Sequence, residues 1–161
     1  MSKQLMVCLV LVAVLGDQFM QIEGGGNDGN GCGCVHKVKG ALTLVNKKDE
    51  RGRTALHDAA ENGNLEDVKK LIKRGAKIHS TDKIKRTPLH LAAANGHKNV
   101  SEKLITKGAN VHSEDHLKQT PLHLAAEKGH RDVAEMLINN GAFTDVTDNL
   151  ERTPLHYAAM K

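Results

Sequence analysis

One tetrapeptide recurs at a fixed interval. Thr-Pro-Leu-His begins at Thr87, Thr120 and Thr153, and a variant, Thr54-Ala55-Leu56-His57, precedes them. Successive leading threonines are 33 residues apart. Other positions keep the same phase. Ala59-Ala60, Ala92-Ala93, Ala125-Ala126 and Ala158-Ala159 repeat, as do Gly63, Gly96 and Gly129, then Gly75, Gly108 and Gly141. Asp49, Asp82, Asp115 and Asp148 each stand five residues before a threonine. A period of this size builds small units that bury their apolar faces only by stacking. Composition agrees. Phe19, Phe143 and Tyr157 are the aromatic residues and Trp is absent, so the core falls to Ala, Leu, Val and Ile, with each unit touching its neighbours.

The local chemistry of one unit predicts two helices. Thr87 suits a helix N-cap. Pro88 suits the first helical position, where its missing N–H costs nothing. Leu89, Ala92 and Ala93 fall on one face at helical spacing. Asn95-Gly96 closes this short helix, glycine being free to take positive φ. A second helix follows, with Val100, Leu104 and Ile105 as its apolar stripe, and Gly108 ends it. The stretch from Ala109 to Gln119 then forms a hairpin-like turn leading to Thr120. Leu56, Ala59, Ala60, Val68, Leu71 and Ile72 play the same parts in the first unit, and Leu122, Ala125, Ala126, Val133, Leu137 and Ile138 in the third. Ala55 in place of proline weakens the first helix start.

These motifs resemble the ankyrin-repeat family, from about Val45 to Lys161. The resemblance implies an all-α solenoid of helix-turn-helix-hairpin units: three full repeats (about 49–81, 82–114 and 115–147) and a partial fourth (148–161). It also implies a binding role, with no cofactor and no chemistry of its own. The family often carries glycine two residues before the threonine. Gly52 keeps it, whereas Lys85, Lys118 and Glu151 replace it, so looser hairpin tips are expected there. His57, His90, His123 and His156 form a ladder at the repeat period. The resemblance implies that each bonds its threonine and nearby backbone. Metal ligation would need the rings to converge at about 2 Å, closer than stacked units allow. No nucleophile–base pair, phosphate-binding glycine loop or His-Glu-x-x-His is present in the sequence, so catalysis ranks last among the functional readings.

The resemblance places partners along the hairpin tips and the inner face of the first helices. The matching tip positions are Glu50, Arg51, Arg53, Lys83, Ile84, Arg86, His116, Leu117, Gln119, Asn149, Leu150 and Arg152; those on the helix face are Glu61, Asn62, Ala94, Asn95, Glu127 and Lys128. Apolar Ile84, Leu117 and Leu150 share one repeat position, which Arg51 holds in the first unit. Apolar side chains flanked by Arg and Lys fit a protein-binding stripe, and an apolar row also fits packing between neighbouring tips. A net charge of +4 allows an acidic partner without requiring nucleic acid.

The N-terminal third reads differently. Lys3, the apolar run from Leu5 to Leu15 and small residues at its end match a secretory signal peptide spanning 1–16, with cleavage after Gly16. The run falls short of the roughly 20 apolar residues of a membrane span. Residues 17–44 then read as a glycine-rich linker (Gly24 to Gly31) and an N-terminal cap built on Val38, Ala41, Leu42 and Leu44. Cys32, Cys34 and His36 lie close together but lack the second ligand pair of a structural zinc site, which favours a disulfide or free thiols. Asn99-Val100-Ser101 is a glycosylation sequon set awkwardly in a helix stripe, and a bare Asn99 is expected. The leading functional expectation is a secreted, effector- or venom-type ankyrin protein that binds a protein partner. The alternatives are a piece of a larger ankyrin-containing toxin or an intracellular, cytoplasmic scaffold.

Overall fold

The computed structural model describes residues 44–160. The expected signal segment, the glycine-rich stretch, the paired cysteines and most of the expected cap lie outside the described residues. Seven helices are bounded within them: α1 Ala55–Glu61, α2 Leu65–Lys73, α3 Pro88–Ala94, α4 Lys98–Thr106, α5 Pro121–Lys128, α6 Arg131–Asn139 and α7 Pro154–Ala159. No described residue is in a strand. The first helices α1, α3, α5 and α7 pack in one row and the second helices α2, α4 and α6 in another, and each of α1, α3 and α5 packs on its own second helix. This is an all-helical solenoid.

The helix starts follow from local chemistry. Thr54, Thr87, Thr120 and Thr153 are the N-caps of the first helices, each extended and each joined to the histidine three residues on in a capping box. Between first helices the core is Leu56, Leu89 and Leu122 with Ala59, Ala60, Ala92, Ala93 and Ala125, whose small side chains permit close approach. Val68, Val100, Leu104, Val133 and Leu137 do the same for the second helices. Each fully buried Leu or Val contributes about 1.5–3 kcal/mol. The stripe does not keep one register. Val68 lies 33 residues before Ser101, not Val100, so the counterpart of Val100 in α2 is exposed Asp67 and buried Ser101 fills the place of Val68 in α4.

The hairpin tips differ from expectation. Lys85, Lys118 and Glu151 stand where Gly52 stands in the first tip, and all are left-handed, at φ 61°, 59° and 58° against 76° for Gly52. The four tips close equally tightly: the amide of Gly52, Lys85, Lys118 or Glu151 donates to the carbonyl of its aspartate at 3.0–3.2 Å. The phased aspartates explain this. One carboxylate oxygen of Asp82 accepts from the amides of Ile84 (3.0 Å) and Arg86 (2.8 Å). Asp49, Asp115 and Asp148 bind the matching amides in the same way. Such Asx-type bonding dictates the turn and imposes the left-handed residue whether or not it is glycine.

Candidate protein-binding surface

The histidine ladder fixes the tips to the helices. The amide of Thr87 donates to Nδ1 of His90 (3.1 Å), and the threonine hydroxyl lies 2.8 Å from the same nitrogen. Nε2 of His90 lies 3.1 Å from the carbonyl oxygen of Gln119, in the next tip. A carbonyl only accepts, so Nε2 carries the proton and Nδ1 is the acceptor. His57 reaches the Arg86 carbonyl and His123 the Arg152 carbonyl at 3.1 Å each. The rings of His57, His90 and His123 are fully buried, and burial lowers the pKa of all three. They are neutral clamps between units. His156 keeps its bonds to Thr153 but is exposed.

Neighbouring tips are also bonded to each other. The amide of Lys83 donates to the Arg51 carbonyl (3.0 Å), that of His116 to the Ile84 carbonyl (3.1 Å) and that of Asn149 to the Leu117 carbonyl (3.0 Å). The carbonyls used in this way belong to Arg51, Ile84 and Leu117, at the repeat position that Leu150 holds in the fourth tip. The side chains at this position stand out from the tips: Ile84, Leu117 and Leu150 are 36%, 43% and 67% exposed. Lys83, Lys85, His116 and Lys118 beside them are exposed too, as is Arg51.

The residue before each threonine behaves otherwise. Arg53 is buried and binds the carboxylates of Asp58 (2.6 Å) and Glu61. Arg86 is half-buried on Asp82 at 3.1 Å. Gln119 is buried and donates to the Tyr157 hydroxyl at 2.6 Å. Arg152 pairs with Asp148 at 3.1 Å and lies over the Tyr157 ring, 4.4 Å from its centroid. Tyr157 in turn donates to Asp148 at 2.6 Å. Burial by itself would raise the Asp148 pKa, but the bonds from Tyr157, from the Arg152 and Leu150 amides and from the Arg152 side chain outweigh it and hold the carboxyl well below the usual range. Of the twelve tip residues expected to meet a partner, Arg53 and Gln119 are thus spent on internal bonding, and Arg86 and Arg152 are largely so. The other eight are exposed.

A groove of about 510 Å³ runs between the third tip and the first helices, lined by Leu117, Gln119, Glu127, Lys128, Arg152, Tyr157 and Met160. Five of these were expected from the sequence as tip or helix-face positions. Tyr157 and Met160 were not. Tyr157 occupies the repeat position of Leu91 and Leu124, and a tyrosine amid leucines was the available signal, since a buried hydroxyl calls for partners. Among the described residues no group of His, Cys, Asp or Glu could hold a metal ion, and no helix is long and apolar enough to cross a membrane.

Two family models match the chain. Ankyrin repeats in many copies match residues 56–105, and ankyrin repeats in three copies match residues 89–161. No curated protein is similar enough in sequence to count as a match. Ankyrin repeats serve in general as non-catalytic modules for protein–protein binding. The two matches span the helix-pair array without a gap, and residues 56–161 belong to the ankyrin-repeat family.

Proposed function

We propose that this chain is a secreted ankyrin-repeat protein that acts by holding a protein partner along its hairpin tips, as an effector or venom-type component. The observation that carries the binding surface is the exposed row Ile84, Leu117 and Leu150, set on backbone that is bonded from tip to tip. Rigid apolar side chains bind with little ordering cost, which is where much affinity is otherwise lost. Export rests on the apolar run from Leu5 to Leu15 after Lys3. Two experiments test the reading. Affinity capture with the full chain is compared with capture by the triple variant Ile84→Ser, Leu117→Ser, Leu150→Ser. The expected result is loss of a partner with helical content unchanged, and a partner retained at full strength refutes the surface. Mass spectrometry of secreted material should find a chain beginning near Asp17. Recovery of intact Met1 chains from cytosol alone refutes export.

A further inference from the structure

The charge left over on the tips is not spread evenly. Arg53, Arg86 and Arg152 are neutralised within their own units. Lys69, Lys70, Lys128 and Arg131 also pair with nearby carboxylates. Lys83, Lys85 and Lys118 form no ion pair among the described residues. All three are exposed and lie on the second and third tips, immediately beside Ile84 and Leu117. The first tip carries Glu50 beside Arg51, and the fourth carries Glu151.

Two of these lysines sit at a backbone cost. Lys85 and Lys118 hold φ 61° and 59°, a region that L residues avoid and that Gly52 occupies without penalty in the first tip. The turn is dictated by the aspartate, so it does not need a lysine there. Glu151 holds the same backbone at φ 58°, so the strain belongs to the turn, and what sets the second and third tips apart is the charge they place there. Neither lysine forms an ion pair among the described residues, so both are open to an acidic group from outside.

We infer that the second and third tips form a cation-flanked apolar slot for an acidic segment of the partner that carries aliphatic side chains. This deepens the tip-binding reading and rests on it. Successive tips are one packed-helix spacing apart, roughly 8–10 Å. A polyproline-type chain rises about 3.1 Å per residue and so brings every third side chain to the next tip. The segment that fits is extended, with an aliphatic residue at every third place and carboxylates between. A nucleic acid fits less well, because the His116 imidazole is the one ring on these two tips, and successive bases need a series of rings to stack on.

The test uses synthetic peptides with Leu at every third residue and Pro after each spacer, the spacer being Glu, Ser or Lys. Binding to the full chain is read by fluorescence anisotropy at low and high salt. The Glu peptide should bind most tightly, the Lys peptide least, and salt should weaken the Glu peptide selectively. The double variant Lys85→Gly, Lys118→Gly should weaken the Glu peptide about tenfold and flatten its salt dependence, with no fall in thermal midpoint, since strain is relieved. Equal binding of the Glu and Lys peptides, or unchanged affinity of the double glycine variant, overturns the slot. Tighter binding of a single-stranded RNA than of the Glu peptide also overturns it, in favour of a general polyanion surface. Ile84→Ser with Leu117→Ser separates the two levels of the claim. If that variant binds the Glu peptide as well as the native chain, the tip reading itself fails. If it loses the peptide while the glycine variant does not, only the acidic specificity fails.

Discussion

Single residues decide how closely the units approach. Gly96 and Gly129 have the same left-handed backbone, φ +75° and +74°, but different surroundings. A Cβ on Gly96 would lie 2.7 Å from Nδ1 of His130, whereas one on Gly129 meets nothing within 4 Å. Nε2 of His130 also bonds the Ala94 carbonyl at 3.1 Å, tying α3 to the start of α6. Gly129→Ala should cost about 1–2 kcal/mol, the backbone penalty alone. Gly96→Ala should cost about 1–2 kcal/mol more, because the ring must move and its bond is lost. Urea unfolding of the two variants measures the difference. The histidine ladder makes a second residue-scale prediction. His57, His90 and His123 have folded pKa values below the ordinary 6.5, so the unfolded chain binds the extra protons. Their contribution is complete above about pH 6.5 and declines as pH falls below it. Asp148, with a folded pKa below its ordinary value, contributes fully above about pH 4 and loses that contribution only in stronger acid. The urea midpoint should therefore begin to fall near pH 6.5. A midpoint that stays flat down to pH 5 contradicts the neutral clamp.

At the scale of the element, helix starts were the most legible feature. Threonine states the cap of all four first helices, and the proline after it states the first position in three of them, Ala55 taking its place in α1. The helix-pair rhythm was equally plain, because glycine and alanine mark where a chain turns and where neighbours come close. The tips were less legible. Glycine at Gly52 suggested that Lys85, Lys118 and Glu151 would relax the turn, yet the aspartate oxygens set the turn instead. The five-residue phase of Asp to Thr was visible in the sequence, but its hydrogen bonds are a three-dimensional fact. Burial of Arg53 and Gln119 was invisible for a similar reason. A polar residue in a loop reads as exposed until its partners, Asp58 and Glu61 or Tyr157, are known. The shifted stripe of α2 and α4 leaves a testable trace. The Ser101 hydroxyl is fully buried and has no hydrogen-bond partner among the described residues. An unsatisfied buried hydroxyl costs about 1–3 kcal/mol, so Ser101→Ala should raise stability by up to about 1 kcal/mol once lost packing is counted. Chemical denaturation decides it, and a fall of that size would mean that the hydroxyl is bonded.

Across the described array, stability is a sum over neighbours, because each helix pair touches only the adjacent ones. The units around α3 and α5 are covered on both sides. Leu56, Leu89 and Leu122 are buried by the following unit, whereas Leu155, at the same position in α7, is 74% exposed. Amide exchange should be slowest in α3 and α5 and fastest in α7. Uniform protection from α1 to α7 would point to a single cooperative body instead. The same one-dimensional build suits the tips to the recognition role proposed for them. They are the edge at which every unit contributes a side chain to one continuous, backbone-bonded line.

The most direct measurement is hydrogen–deuterium exchange of the full chain with and without the partner recovered by capture. Added protection should fall on the tip amides, at 83–86 and 116–119, while the outer surfaces of α2, α4 and α6 stay unchanged. Protection confined to those second helices, with the tips exchanging as in the free chain, would contradict the account.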